Sequence, residues 1–119
     1  MTQPIPSDSD SCLADGVLHH SHEPRPASTM TEAAQIFSAL GDPARLRLLE
    51  LLYDGTHCVG ELAEETGEGM SAVSQRLKLL HKARLLERNR IGKHIYYSLA
   101  DNHVREILES VFDHVEENH

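Results

Sequence analysis

One segment near the C-terminus carries four metal-type ligands in an arrangement that a single helix cannot close. Asp101-x-His103 opens it, and His114-x-x-Glu117 begins eleven residues after His103, all within one apolar-periodic run. At ~1.5 Å per residue the two histidines lie roughly 16 Å apart along a helix axis. Ligands on one zinc ion, with bonds of about 2.0–2.1 Å, sit only a few ångströms from each other. The pairs meet only if a second copy of the helix runs antiparallel beside the first, as a two-fold dimer provides. Each of two equivalent sites would then hold Asp101 and His103 of one chain with His114 and Glu117 of the other. Two nitrogens and two oxygens favour Zn(II) over Cu(I) or lead, which prefer thiolate, with Co(II) or Cd(II) as further candidates. Taken one at a time, Asp101 reads as a helix N-cap and the histidines as surface residues.

The formal net charge of −8 over 119 residues, taken alone, argues against a nucleic-acid partner. Its distribution reverses that. Seven of the eleven Lys and Arg residues (Arg76, Lys78, Lys82, Arg84, Arg88, Arg90 and Lys93) fall in one stretch whose only acid is Glu87. Local field rather than net charge decides what a face binds. The length suits one domain with a modest core. No apolar run approaches the ~20 residues that span a bilayer, and the N-terminus lacks a basic-then-apolar signal pattern. The expectation is a cytoplasmic protein without membrane contact. In a reducing compartment, Cys12 and Cys58 read as free thiols or metal ligands.

Residues 1–27, rich in Pro, Ser and Asp, are expected to be a flexible tail holding Cys12, His19, His20 and His22. Residues 28–119 form the expected domain. Thr29-x-x-Glu32 resembles a capping box opening a helix to about Leu40, with Ala33, Ile36, Phe37 and Leu40 on one face. Gly41 ends it, and Asp42-Pro43 restarts the chain as N-cap and first helical position. The second helix runs to about Tyr53, burying Leu46, Leu49 and Leu52 or Tyr53, and Asp54-Gly55 breaks it. A short helix starts at Cys58 and stops at Gly67. The next, from about Met70 to Lys82, buries Val73, Leu77 and Leu80 and turns Ser71, Ser74, Gln75, Lys78 and Lys82 outward. Two short helices across a glycine turn, the second polar outside, have the helix-turn-helix pattern. Leu86, Arg88 and Arg90, then Ile95, Tyr97 and Leu99, alternate with period two about Ile91-Gly92-Lys93, a basic two-stranded hairpin. Asp101 caps a last helix to about Glu117, with Val104, Ile107, Leu108, Val111 and Val115 apolar.

In this order the elements resemble the ArsR/SmtB family of metal-sensing winged-helix repressors, over roughly residues 30–117. The resemblance rests on Asp42-Pro43-x-Arg45-Leu46-x-Leu48-Leu49, Cys58-Val59-Gly60-Glu61-Leu62, Ser71-Ala72-Val73-Ser74-Gln75-x-Leu77-x-x-Leu80, Gly92-x-x-x-Tyr96-Tyr97-x-Leu99 and the final ligand set. It implies a mainly α fold with a small β-hairpin, a winged helix-turn-helix of about five helices plus a two-stranded wing, homodimeric. It also implies a repressor that holds double-stranded operator DNA, an inverted repeat, when metal-free. Binding of Zn(II) at the sites between C-terminal helices would release it, derepressing efflux or sequestration genes. Asp101, His103, His114 and Glu117 match the ligands of zinc-sensing members. A second site in some members uses Cys58 and an acid where Glu61 stands, with N-terminal cysteine and histidine, here Cys12, His19, His20 and His22. Glu61 replaces the usual Asp.

On the DNA face, Ser71, Ser74 and Gln75 are placed to read base edges. Arg76, Lys78 and Lys82, with Arg88, Arg90 and Lys93 of the wing, would neutralise phosphate. His94, beside Lys93, is a candidate phosphate contact. A zinc hydrolase needs an open coordination position and a base in a pocket. Four protein ligands close the site, no His-Glu-x-x-His occurs, and no small-molecule substrate is implied, so the chain is not read as an enzyme. The alternative is a metal-independent or thiol-redox-sensing winged-helix regulator using Cys12 and Cys58.

Overall fold

Pro26 and Asp42 start the first two helices by different means. The computed structural model describes residues 22–118. Helix α1 spans Ala27–Leu40, and the Pro26 carbonyl accepts the N–H groups of Thr29 and Met30 at 3.0 and 3.3 Å. Thr29 and Glu32 therefore lie inside the helix and form no capping box. The proline, at φ −59° and ψ 154°, starts the helix three residues earlier than the sequence motif suggests. Helix α2, Pro43–Leu51, starts as expected: Asp42 Oδ2 accepts the Arg45 N–H at 3.0 Å and Pro43 fills the first position. The Arg45 side chain reaches back to the Ala39 and Ser38 carbonyls, at 2.7 and 3.2 Å, and satisfies the otherwise open end of α1.

Strand β1 (His57–Cys58) leads into α3 (Val59–Thr66), which Gly67 stops in the left-handed conformation at φ +74°. Helix α4 (Met70–Lys82) follows, then β2 (Leu86–Ile91), β3 (His94–Leu99) and α5 (Asn102–Glu117). Val73, Leu77 and Leu80 are fully buried, as their spacing requires. They meet Leu48, Leu49 and Leu52 of the α2 segment, Leu62 of α3, Leu85, Leu86 and Tyr97 near the sheet, and Val104 and Leu108 of α5. Two positions depart from the sequence expectation. Leu48 is buried while Leu46 is only half-buried, because Leu46 lines an open cleft between α2 and Phe112 of α5. Phe37 is 69% exposed, so α1 packs through Ile36, Ala39 and Leu40 and leaves Phe37 outside.

The sheet has three strands rather than two, in the antiparallel order β1-β3-β2. His57 and Cys58 pair with Tyr97 and Tyr96; a two-residue strand is too short to show alternation. The wing registers from Leu86 opposite Leu99 to Ile91 opposite His94, which leaves Gly92-Lys93 as the loop. Gly92 alone takes a positive φ there, +64°, the pattern of a type II′ turn.

The α4–β2 junction closes as a Schellman motif. Arg84 N–H donates to the His81 carbonyl at 2.9 Å and Leu85 N–H to the Leu80 carbonyl at 3.0 Å, with Leu85 buried beside Leu80. Arg84 occupies the left-handed position, φ +67°, usually given to glycine. Five helices and this sheet, in the order α1-α2-β1-α3-α4-β2-β3-α5, make a winged helix-turn-helix. Among the described residues no helix is long and apolar enough to cross a membrane.

Candidate nucleic-acid interface and ligand-bearing helix

With 3.6 residues per turn, the buried row Val73, Leu77 and Leu80 dictates what α4 offers to solvent. Ser71, Gln75, Lys78 and Lys82 project from the opposite side and are exposed, and Ser74 is half-buried at its edge. Arg76 does not share that face. It flanks the buried row on the other side, beside α2 and α3, and its Nη1 lies 2.7 Å from Glu68 Oε1. The expectation that Arg76 faces phosphate therefore meets a structural partner: its charge is engaged across the turn that joins α3 to α4.

Arg88, Arg90 and Lys93 are exposed on the wing. Arg88 stands opposite Tyr97 and Arg90 opposite Ile95, so both arginines leave the sheet on the side carrying buried Tyr97. Tyr97 in turn meets His81 of α4 edge-on, with ring centroids 6.4 Å apart. Helix face and wing are thus fastened together behind the basic residues.

Arg84, one of the seven basic residues but given no DNA contact from the sequence, is a further functional candidate. Its side chain is 84% exposed and its one ion pair, to Glu32, is 3.8 Å long. A non-glycine residue in the left-handed region costs roughly 1–2 kcal/mol, and such strain recurs at working positions. Arg84→Gly is expected to raise the melting temperature while weakening DNA binding, read by thermal denaturation and by fluorescence anisotropy of a labelled duplex. The signal available in the sequence was only a basic residue where a helix stop wants glycine.

On α5, Asp101 is the N-cap: its Oδ1 accepts the Val104 N–H at 3.2 Å. His103 Nδ1 lies 3.7 Å from the same carboxylate oxygen, with the imidazole 85% exposed. His114 and Glu117 stand at the far end of one unbroken helix, also exposed. His103, His114 and Glu117 fall within about 60° around the helix axis, next to Ile107 and Val111. Those two and Val115 are 39%, 46% and 48% exposed. Among the described residues no three His, Cys, Asp or Glu side chains converge as a metal site within one chain. The ligand pairs are as far apart as the sequence spacing demands. As a donor set they suit a divalent cation, provided that a second helix supplies the other half.

Of the second candidate site, the structure brings together Cys58 and Glu61. The Cys58 N–H donates to Glu61 Oε1 at 2.9 Å, which caps α3. That bond, ahead of the nearby Cys58 thiol and His57, holds the Glu61 carboxyl below its usual range. The sign follows: this cap is present at neutral pH and is lost as pH falls through the lowered value. His57, given no ligand role from the sequence, lies between Asp54 (3.3 Å) and Glu61 (3.7 Å). His22 is exposed, and Cys12, His19 and His20 lie outside the described residues.

Fold and basic face together define a DNA-binding regulator of the winged-helix class. Residues 42–88 match the family described as bacterial regulatory protein, arsR family. The chain is 45% identical over 87 residues to a transcriptional repressor SmtB homolog of Synechocystis, covering 73% of this chain and 66% of that protein. It is 36% identical over 96 residues to the HTH-type transcriptional regulator NmtR of Mycobacterium tuberculosis, covering 81% and 80%. With a cadmium resistance transcriptional regulatory protein CadC homolog of Staphylococcus aureus it shares 32% over 87 residues, covering 72% of each. Its fold is similar to the homodimeric winged helix-turn-helix DNA-binding domain Mb0332 of Mycobacterium bovis, with a TM-score of 0.75, 28% identity and coverage of 83% and 92%. The chain belongs to the ArsR/SmtB family of bacterial regulatory proteins, a family of regulators rather than enzymes.

Proposed function

We propose that the chain is a homodimeric, zinc-responsive transcriptional repressor of the cytoplasm, whose metal-free form occupies an inverted-repeat operator. The observation that carries this reading is the continuity, on α5, of the exposed stripe Ile107, Val111 and Val115 with the face bearing His103, His114 and Glu117. An antiparallel second copy would cover that stripe and complete both ligand sets in one step. The homodimeric neighbour of known structure and the cadmium-resistance relative support it. A zinc ion held there would supply a fixed tie between the two helices.

The chain's own residues do the rest. Two α4 helices spaced about 34 Å apart would enter successive major grooves. Ser71 and Gln75 would face base edges, with Ser74 at the margin, while Lys78, Lys82, Arg88, Arg90 and Lys93 meet phosphate. Arg76, engaged by Glu68, would hold the turn. Cys58 and Glu61 are candidates for a second site completed by the tail, residues 1–27.

The salt dependence tests the phosphate assignment. Lys78→Gln should lower the slope of log affinity against log salt by about 1, since each neutralised phosphate contributes roughly 0.9. Arg76→Gln should leave that slope near the parent value.

The function itself is tested by operator binding on a duplex selected from a random pool, with zinc, with chelator and with oxidant. Release by zinc and recovery by chelator are expected. Release by oxidant alone would favour thiol sensing through Cys12 and Cys58.

A further inference from the structure

Helix α5 meets the rest of its own chain mainly through apolar side chains, Val104 and Leu108, and apolar contact has no direction. Directional contact is scarce. Among the described residues, one hydrogen bond joins α5 to another element: Arg105 Nη1 donates to the Tyr53 carbonyl at 3.1 Å. The same guanidinium lies over the Tyr53 ring, 4.8 Å from its centroid. Its Nε is 3.6 Å from Glu109 Oε2, one turn further along α5. Tyr53 thus meets the guanidinium twice, through its carbonyl and its ring, and Glu109 lies beside it on α5.

The placement of the two ends matters. Tyr53 follows α2 and opens the Asp54-Gly55 turn that leads into β1 and α3. Its carbonyl lies one residue past the Leu52 C-cap of α2, near the helix end where a cation is favoured. Arg105 stands on the first turn of α5, two residues past His103 and four past Asp101. Around this link the packing is open: clefts of about 500 and 400 Å³ flank it, and Tyr53 lines both. Burial, then Glu109 and Glu50, push the Tyr53 phenol up from its ordinary value, so the ring stays neutral under the guanidinium.

We propose that Arg105 is the positioning residue through which the ligand end of α5 moves the α2–β1 junction, and with it the helix-turn-helix. The proposal rests on the metal-responsive reading above. Arg105 touches neither metal nor DNA. It converts a displacement of the first turn of α5 into a pull on the Tyr53 carbonyl.

The test compares wild type with Arg105→Gln and Arg105→Lys. Three quantities are read: zinc affinity by chelator competition, operator affinity with and without zinc, and backbone amide exchange of the metal-free dimer. Wild type should lose operator affinity about 5–150-fold on zinc loading, the usual span of such coupling. In Arg105→Gln that ratio should fall to within about threefold of no effect, with zinc affinity and metal-free operator affinity close to wild type. Arg105→Lys keeps the charge without the planar fork and should recover only part of the coupling. Exchange at Tyr53–Gly55 should quicken in metal-free Arg105→Gln.

Full zinc-driven release by Arg105→Gln overturns the proposal. So does a loss of zinc affinity as large as the loss of coupling, which would make Arg105 a support for the ligands only. Should Arg105→Gln fail to melt cooperatively, Arg105→Met, which keeps an unbranched stem and removes the donor to the Tyr53 carbonyl, carries the same comparison. A wild type indifferent to zinc overturns the reading beneath the proposal, and is told apart because the exchange difference persists without metal.

Discussion

Zinc added to the His103→Ala protein is expected to leave operator occupancy at its metal-free level. In the wild type the same addition should weaken operator binding by about 5–150-fold, so the substitution removes an effect of that size. The metal-free affinity should hardly change. His103 is 85% exposed, its closest charged neighbour is Asp101 at 3.7 Å, and nothing in the core rests on it. Asp101 would be a poorer choice, because it also caps α5 through Val104. Losing that cap costs roughly 1 kcal/mol of stability and would blur the result. Anisotropy titrations of both proteins, with zinc and with chelator, give the comparison.

Leu77→Ala is expected to destabilise the domain by about 2–5 kcal/mol, the range for a fully buried leucine cut to alanine. Leu77 has no exposed surface and sits between Val73 and Leu80 where α4 meets the core cluster. Domains of this size hold roughly 5–15 kcal/mol in total, so the loss is a large fraction. At about 4 °C per kcal/mol the melting temperature falls by roughly 8–20 °C. Leu79→Ala, one turn's edge away and 43% exposed, should shift it little. Circular dichroism melts of the two variants separate the buried row of α4 from its exposed positions.

Long, strongly periodic elements were legible from the residues. The α4 row, the hairpin about Gly92, the Asp42-Pro43 start and the Asp101 cap stand where spacing and capping chemistry put them. What escaped depends on neighbours distant in sequence. Strand β1 is two residues long and exists only because β3 offers it a partner. Phe37 belongs to an amphipathic pattern, yet a periodicity says nothing about whether its outer edge is covered by the same chain. Arg76 has the right type for phosphate and the wrong azimuth, and only the position of Glu68 reveals its partner. Arg105 and Tyr53 are 52 residues apart, so no local pattern joins them. The spacing of Asp101, His103, His114 and Glu117 is plain in the sequence and forbids closure by one helix; the proposed partner helix belongs to assembly, which no local pattern encodes.

Subunit mixing tests that assembly most directly. His103→Ala and His114→Ala homodimers each lack one of the four ligands at every proposed site and should bind no Co(II) with tetrahedral absorption. After subunit exchange between the two proteins, the mixed dimer has one site with both lesions and one with none. Recovered tetrahedral absorption, at roughly one intact site per four chains for random pairing, is the expected result. Absorption that fails to return in a mixture verified to contain mixed dimers, or that is already present in either homodimer, would contradict a site shared between subunits.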